Sequence, residues 1–200
     1  VEIAGLHWLF VSPEGLHLTG PDPQVRQRTS DYLQELVRLC ADLGGRLMIN
    51  GSPNQRSVVE GVAPEEAFEH ARTAFSAAAE LAEERGVTIC MEPLASKLTN
   101  FVNTPSQALE LIRAVDHPNF RMILDVCASA AERLDMPAEI RAHADNLRHF
   151  HANDDNEYLP GSGNVDYPPI IDALREIGYD GYLSVEVFNF EPDPETIARQ

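Results

Sequence analysis

The segment Gly86–Leu94, "GVTICMEPL", joins a helix-ending glycine to a short apolar run that ends in a carboxylate. The glycine closes an alanine-rich helical pattern that opens at Pro64-Glu65-Glu66, and "VTICM" has the length and composition of a buried strand. Glu92 follows directly, where a strand in a core would be expected to continue with apolar residues. The segment therefore predicts a helix–strand unit with a polar residue at the carboxyl end of the strand.

The same unit recurs along the chain. Helices are predicted from the cap Asp22-Pro23 to Gly44-Gly45, from Pro64 to Gly86, from the capping-box residue Thr104 to Val115, around Pro137 to Asp145, and over "YPPIIDALREIG". Strands are predicted at "VEIAGLHWLF", "RLMIN", "VTICME", "FRMILD", "LRHFH" and "YLSVEVF". Strands and helices that alternate in this way predict an α/β fold with a parallel sheet. A doubly wound sheet and a (β/α)8 barrel both fit the pattern.

Composition narrows the classes of partner. The chain has 200 residues, of which 44% are apolar, enough for one core, and we expect a single domain over residues 1–200. Its 32 acidic and 15 basic residues give a net charge of −17, which argues against nucleic acid as a partner. No apolar run approaches the ~20 residues of a membrane span, so no membrane partner is expected. Cys40, Cys90 and Cys127 lack paired spacing, which favours free thiols in a reducing, cytoplasmic setting.

Four predicted strands end in a residue that can bind a metal ion: Glu92, Asp125, His151 and Glu186. In parallel α/β folds the carboxyl ends of the strands form the active site. Three carboxylates at one edge would repel one another, and a divalent cation removes that conflict. Three oxygen donors and one nitrogen suit Mn²⁺, Mg²⁺, Co²⁺ or Zn²⁺. Each residue alone also has a structural explanation, such as a helix cap, a core histidine or a rim charge.

Further residues near the predicted strand ends are candidates for supporting roles. Alternation along the strand points His149 the same way as His151 and one layer deeper, so we expect it to support the ligand. Asp154 follows that strand and is a candidate for contact with a substrate.

The first two strand ends supply three more candidates for substrate binding. His7 and Trp8 end the first predicted strand, where the indole could stack on a sugar ring. Arg56 lies in the loop "GSPNQR" after the second strand and could bind a phosphate or carboxylate. A core tryptophan and a solvated turn are the structural alternatives.

From about Val1 to Phe188, several motifs together resemble a known family: "GVTICMEPL", "LDV", "HFHANDDN" followed by "PGSGNVDY", and "ALREIGYDGYLSVEVF". The family is that of the sugar (phosphate) isomerases and epimerases with a xylose-isomerase-like TIM barrel, which includes ketose 3-epimerases, hydroxypyruvate isomerases and inosose dehydratases. The resemblance implies a truncated (β/α)8 TIM-barrel-type fold in which the third to eighth strands are visible. It also implies that one divalent metal ion is held by Glu92, Asp125, His151 and Glu186, and that Glu92 and Glu186 act as acid and base.

These features predict a metal-dependent isomerase or epimerase of a small sugar or sugar-like hydroxycarbonyl compound. It would transfer a proton through a metal-stabilised enediolate. A dehydratase of the inosose or dehydroshikimate type, a metal-dependent phosphodiesterase acting on abasic DNA, and a non-catalytic barrel fragment are the alternatives. Homo-oligomerisation stays open.

The resemblance is weaker around the substrate than around the metal. The ketose 3-epimerases carry a histidine where this chain has Ala128, an arginine where it has Glu157, and often a glutamate where it has Leu98. These differences favour a substrate other than a ketohexose.

Overall fold

The computed structural model describes residues 2–199, and the chain divides between Ile123 and Leu124 into two compact units. We call them unit 1 and unit 2 in chain order. The strands are all parallel where their pairing is defined, and they follow one another in sequence order. Strands alternate with helices throughout, which confirms the predicted α/β class. The single domain predicted over residues 1–200 stays a prediction.

Unit 1 contains the first three βα units. Its elements are β1 (Gly5–Leu6), α1 (Pro23–Asp42), β2 (Leu47–Asn50), a 3-10 turn (Pro53–Gln55), α2 (Pro64–Arg85), β3 (Thr88–Met91), α3 (Pro105–Val115) and the start of β4 (Phe120–Asp125). β2 pairs with β3 in a register that places Leu47 opposite Thr88, and Ile89 of β3 lies opposite Phe120 of β4.

The helices of unit 1 begin and end where the sequence predicts. The Asp22 side chain accepts a hydrogen bond from the Gln24 N–H at the start of α1, and Thr104 and Gln107 form the predicted capping box of α3. Gly86 ends α2 at a φ of 68°, a conformation that glycine adopts without steric cost. α1 packs on α2, whose buried face is mostly alanine, so the two helices can approach closely.

Unit 2 begins with the end of β4. It continues with α4 (Val126–Ala131), α5 (Met136–Ala142), β5 (Leu147–Ala152), α6 (Tyr167–Glu176), β6 (Leu183–Val185) and α7 (Pro194–Ala198). β5 and β6 pair with His151 opposite Ser184, and α5 packs against α6.

The first and last strands are shorter than the sequence predicts. β1 ends at Leu6, because the next residues leave the extended conformation and Trp8 has a φ of 56°, which is uncommon for a bulky residue. β6 covers three residues of "YLSVEVF", and two of them, Leu183 and Val185, are exposed. His7 therefore follows its strand rather than ending it.

Two short helices have no counterpart in the sequence prediction. α4 lies in "VCASAA", which has no apolar periodicity, and α7 follows the last strand. Leu43 lies just beyond α1 and is exposed.

The cysteines are all free, with Cys40 and Cys90 buried and Cys127 half-buried. Within residues 2–199, none of the helices combines the length and the apolar character needed to cross a bilayer.

Candidate metal centre

Three of the predicted ligands meet in unit 2. Nδ1 of His151 lies 2.9 Å from Oε2 of Glu186 and 3.6 Å from Oδ2 of Asp125. The side chains are 4%, 13% and 6% exposed for His151, Glu186 and Asp125. Two carboxylates and one imidazole thus converge in a site largely shielded from water, where an uncompensated negative charge is costly.

The strand ends of unit 2 place these residues. Asp125 is the last residue of β4, and His151 is the last but one of β5. Glu186 follows β6, and its N–H donates to the Ala152 carbonyl at 3.3 Å, which continues the pairing of β5 and β6 by one residue. The carboxyl ends of the strands therefore carry the polar residues, as in other parallel α/β folds.

Asp125 also caps a helix. Its Oδ1 accepts the Ala128 N–H at 2.6 Å, which makes it the N-cap of α4. Its Oδ2 accepts a hydrogen bond from Nδ2 of Asn153 at 2.7 Å. Each carboxylate oxygen can accept two hydrogen bonds or ligand contacts, so these two donors leave capacity for a cation. The capping role and a ligand role are compatible.

The fourth predicted ligand lies in unit 1. The Glu92 side chain is 3% exposed, and its Oε2 lies 3.9 Å from Nε2 of His7. Gly51, directly after β2, lies against the same carboxylate, since a Cβ at this position would collide with Glu92 Oε2. Glu92 thus occupies a recess that only glycine leaves open.

The donor atoms present fit a divalent cation. His7, Glu92, His151 and Glu186 each carry a side-chain atom that can bind a metal ion. In unit 2, two carboxylate oxygens point at the same imidazole nitrogen at 2.9 and 3.6 Å, and Asp125 retains acceptor capacity. Oxygen and imidazole donors of this kind suit Mn²⁺, Mg²⁺, Co²⁺ and Zn²⁺. His7, predicted only as a substrate contact, is therefore also a candidate ligand.

Arg56, predicted as a substrate contact, is bonded to the protein backbone. The residue is fully buried, and its guanidinium donates to the carbonyls of Asn50 at 3.2 Å, Glu92 at 2.6 Å and Val102 at 3.1 Å. Burial lowers the pKa of Arg56 to about 9, and the charge of Glu92 partly opposes that shift. An arginine used in this way ties the ends of β2 and β3 to the following loop and is not available to a phosphate.

Asp154 also has a structural position in place of the predicted substrate contact. It is fully buried, and its carboxylate accepts the backbone N–H of Asp155, Gly161 and Val165 at 2.9 to 3.1 Å. Burial raises the pKa of Asp154, but these donors and the Gly163 N–H outweigh it and lower the pKa below its ordinary value. A Cβ at Gly163 would collide with the carboxylates of Asp154 and Asp155, which explains the second glycine of "PGSG".

The remaining predicted residues are placed as follows. His149 is buried, with its ring 5.2 Å from that of His151 and perpendicular to it. Its supporting role stays a prediction. Trp8 is 52% exposed, which rules out a core tryptophan, and its ring centre lies 6.2 Å from that of His7. An exposed indole beside a polar cluster suits sugar stacking, which also stays a prediction.

Sequence reasoning missed two residues that position ligands. One is Asn153, which donates to Asp125. Its place two residues after His151, on the same side of the chain, was the available signal. The other is Gly51, which the sequence places in a loop. Nothing in its local sequence indicates its close approach to Glu92.

Several known proteins are similar to this chain. D-psicose 3-epimerase of Ruminiclostridium cellulolyticum is 27% identical over 176 residues, which cover 86% of this chain and 59% of the relative. L-ribulose 3-epimerase of Mesorhizobium japonicum is 29% identical over 184 residues, covering 92% and 62%. A solved structure of an L-ribulose 3-epimerase superposes with a TM-score of 0.82 at 27% identity, covering 94% of this chain and 63% of that one. The chain spans about three fifths of the length of these curated relatives.

The family model described as "Xylose isomerase-like TIM barrel" matches residues 1–200, the whole chain. The match agrees with the parallel strands in sequence order and with the polar residues at their carboxyl ends. The resemblance inferred from the motifs is confirmed: the chain belongs to the xylose isomerase-like TIM barrel family.

Proposed function

We propose that this protein is a divalent-metal-dependent isomerase or epimerase of a small sugar or sugar-like hydroxycarbonyl compound. The observation that carries the proposal is the convergence of Glu186 and Asp125 on Nδ1 of His151, at 2.9 and 3.6 Å. The curated relatives are named as epimerases of the ketoses psicose and ribulose, which supports the same class of reaction here.

In the proposed centre, Glu92, Asp125, His151 and Glu186 hold one divalent ion, with His7 as a further candidate ligand. When bound, the ion would polarise a carbonyl and its neighbouring hydroxyl and so make the intervening C–H acidic. The ion itself, among Mn²⁺, Mg²⁺, Co²⁺ and Zn²⁺, is left to measurement.

Glu92 and Glu186 are the proposed acid and base. One carboxylate takes the proton from the substrate carbon, and the other returns a proton to the same carbon or to its neighbour. Both side chains are well shielded from water, at 3% and 13% exposed. Nδ1 of His151 lies 2.9 Å from Oε2 of Glu186. The other carboxylate oxygen of Glu186, Oε1, therefore faces away from the imidazole.

Trp8 and His7 are the proposed substrate contacts in unit 1. Trp8 offers an exposed aromatic face, and His7 is 31% exposed at its side chain. Ala128 and Glu157 stand where the ketose 3-epimerases carry histidine and arginine, so we propose a substrate other than a ketohexose. The buried thiols of Cys40 and Cys90 are consistent with the proposed cytoplasmic location.

Solvent-deuterium incorporation tests the reaction class. Candidate ketoses and keto-inositols are incubated with the protein and Mn²⁺ in D₂O, and the products are followed by NMR. Isomerase or epimerase activity places deuterium on the carbon that is reprotonated, whereas a dehydratase yields an unsaturated product. Glu186→Gln should abolish incorporation, because the amide cannot act as a base.

Glu176→Gln is the matched control. Glu176 is an exposed glutamate that forms an ion pair with Arg141 at 2.6 Å, and its replacement should leave incorporation unchanged. Incorporation by Glu186→Gln at the wild-type rate would remove Glu186 from the mechanism. Formation of an unsaturated product by the wild type would reassign the protein to the dehydratases.

A further inference from the structure

Asn153 makes three hydrogen bonds that fix its own position. One of them is to Asp125. Its Nδ2 donates to Oδ2 of Asp125 at 2.7 Å, and its Oδ1 accepts the Cys127 N–H at 2.7 Å. Its main-chain carbonyl accepts the hydroxyl of Tyr167 at 2.5 Å. Asn153 is fully buried, and its bond to Asp125 is buried as well, while Cys127 and Tyr167 are half-buried partners.

This network leaves only one orientation for the Asn153 amide. The Cys127 N–H can only donate, so it requires the amide oxygen on its side. The NH₂ group must then face Asp125, which as a carboxylate can only accept. The orientation follows from the partners, and it fixes the direction from which Oδ2 of Asp125 receives its hydrogen bond.

The type of donor matters for a metal ligand. A neutral amide N–H orients the carboxylate without cancelling its charge, whereas an arginine or lysine would compete with a cation for it. Oδ1 of Asp125 receives one donor from Ala128 and Oδ2 one from Asn153, so both oxygens keep acceptor capacity. Loss of a hydrogen bond that orients a ligating carboxylate in this way typically lowers metal affinity by roughly 10- to 100-fold.

We propose that Asn153 is a positioning residue that aims Asp125 at the metal ion, acting through the carboxylate without touching the ion or the substrate. The inference rests on the proposed metal centre. It goes beyond that centre because it assigns part of the metal affinity to a residue that is not a ligand.

The test measures Mn²⁺ binding by titration calorimetry in wild type, Asn153→Ala and Asn153→Gln. Asn153→Ala should weaken Mn²⁺ binding by about 10- to 100-fold. Asn153→Gln retains the amide on a longer side chain and should recover part of the loss. Asn156→Ala is the matched control: this exposed asparagine bonds only within its own loop, to Ser162 and Tyr158 in the bonds described, and its replacement should leave Mn²⁺ affinity unchanged.

A spectroscopic measurement separates positioning from a general loss of structure. At saturating Co²⁺, the absorption bands of the bound ion report its ligand geometry. Asn153→Ala should shift these bands relative to wild type, while Asn156→Ala should not. If Asn153→Ala does not fold, Asn153→Gln is compared with wild type instead. We expect it to bind Mn²⁺ more weakly than wild type and to show shifted Co²⁺ absorption bands.

The outcomes distinguish this inference from the proposed function. Wild-type Mn²⁺ affinity and unshifted Co²⁺ bands in the folded Asn153 variants would overturn the positioning role and leave the metal centre standing. A wild-type protein that binds neither ion would overturn the proposed function and this inference with it.

Discussion

Nδ1 of His151 and Oε2 of Glu186 lie 2.9 Å apart at the carboxyl ends of the paired strands β5 and β6. At this distance the imidazole and the carboxylate restrict each other's orientation. The strand pairing places Ser184 opposite His151, and Glu186 lies two residues further on. Sheet register alone thus brings an imidazole and a carboxylate together, and this arrangement leads to the first prediction.

Replacement of His151 by alanine should weaken Mn²⁺ binding at least 10-fold, because it removes a donor atom and the partner that orients Glu186. Titration calorimetry measures the effect. His117→Ala is the control, since His117 is a partly exposed histidine 3.6 Å from Glu83 and far from these residues in sequence. Equal Mn²⁺ affinity in the His151 variant and wild type would remove His151 from the ligand set.

Replacement of Gly51 by alanine should disturb Glu92 specifically. The new Cβ would collide with Glu92 Oε2, so the carboxylate must turn away from its recess. We expect a large fall in the deuterium incorporation rate with a smaller fall in the melting temperature. Gly20→Ala serves for comparison, because its Cβ would meet only the movable ring of His17, at 3.2 Å. Unchanged incorporation in Gly51→Ala would show that the position of Glu92 is not critical.

Replacement of Arg56 by alanine should destabilise the fold by roughly 3–5 kcal/mol, because a large buried side chain is lost and three carbonyls lose a charged donor. Urea unfolding gives the free energy of unfolding directly. Arg38→Ala removes an exposed ion pair with Glu35 and should cost no more than about 1 kcal/mol. Similar losses in the two variants would contradict the structural role of Arg56.

The stability contributed by Asp154 should depend on pH. Its pKa is lowered in the folded protein, since backbone donors outweigh the effect of burial, so the unfolded chain binds the proton more tightly. The contribution is therefore present above the unfolded pKa of about 3.9 and is lost as the pH falls through the folded pKa.

Unfolding by urea between pH 7 and pH 3 measures this dependence. Asp154→Asn should be less stable than wild type at pH 7, and the difference should shrink at the acidic end. Asp172→Asn, on the exposed face of α6, should show no comparable difference at pH 7. A gap between Asp154→Asn and wild type that stays constant with pH would contradict the assignment.

Replacement of Trp8 by alanine should raise KM by about 3- to 10-fold with little change in kcat or melting temperature. The side chain is 52% exposed, so its removal sacrifices little buried surface, while a sugar ring would lose its stacking partner. Steady-state kinetics on the substrate found by deuterium incorporation provide the measurement. A fall in melting temperature without a change in KM would instead indicate a structural role.

The sequence predicts secondary structure best where the signal lies within a few neighbouring residues, such as an apolar run or a helix cap. "FRMILD" coincides with β4, and Thr104 and Gln107 form the expected capping box, because the strand is an apolar run and the cap is a contact between near neighbours. The ends of β4 and β5 also lie where predicted, which is why Asp125 and His151 were recognised as candidate ligands.

The misses have two physical causes, a local backbone conformation at Trp8 and contacts beyond the neighbouring residues at Arg56 and Asp154. Trp8 ends β1 early through its own backbone conformation, which no apolar pattern reports. Arg56 lies in a loop with the composition of a surface turn. It is nevertheless buried, and it donates to the carbonyls of Glu92 and Val102, 36 and 46 residues away in sequence. Asp154 likewise binds backbone groups up to 11 residues ahead.

The internal anchoring of the loop after β5 has a consequence for protein engineering. The buried Asp154 carboxylate accepts hydrogen bonds from the N–H groups of Asp155, Gly161 and Val165 and so anchors the loop. Pro160 and Ser162 are exposed. Exposed side chains add further bonds within the loop, between Asn156 and Ser162 and between Asp155 and Asn164. Replacement of the exposed Pro160 that keeps Asp154, Gly161 and Gly163 would therefore alter the surface of the loop while its internal hydrogen bonds remain.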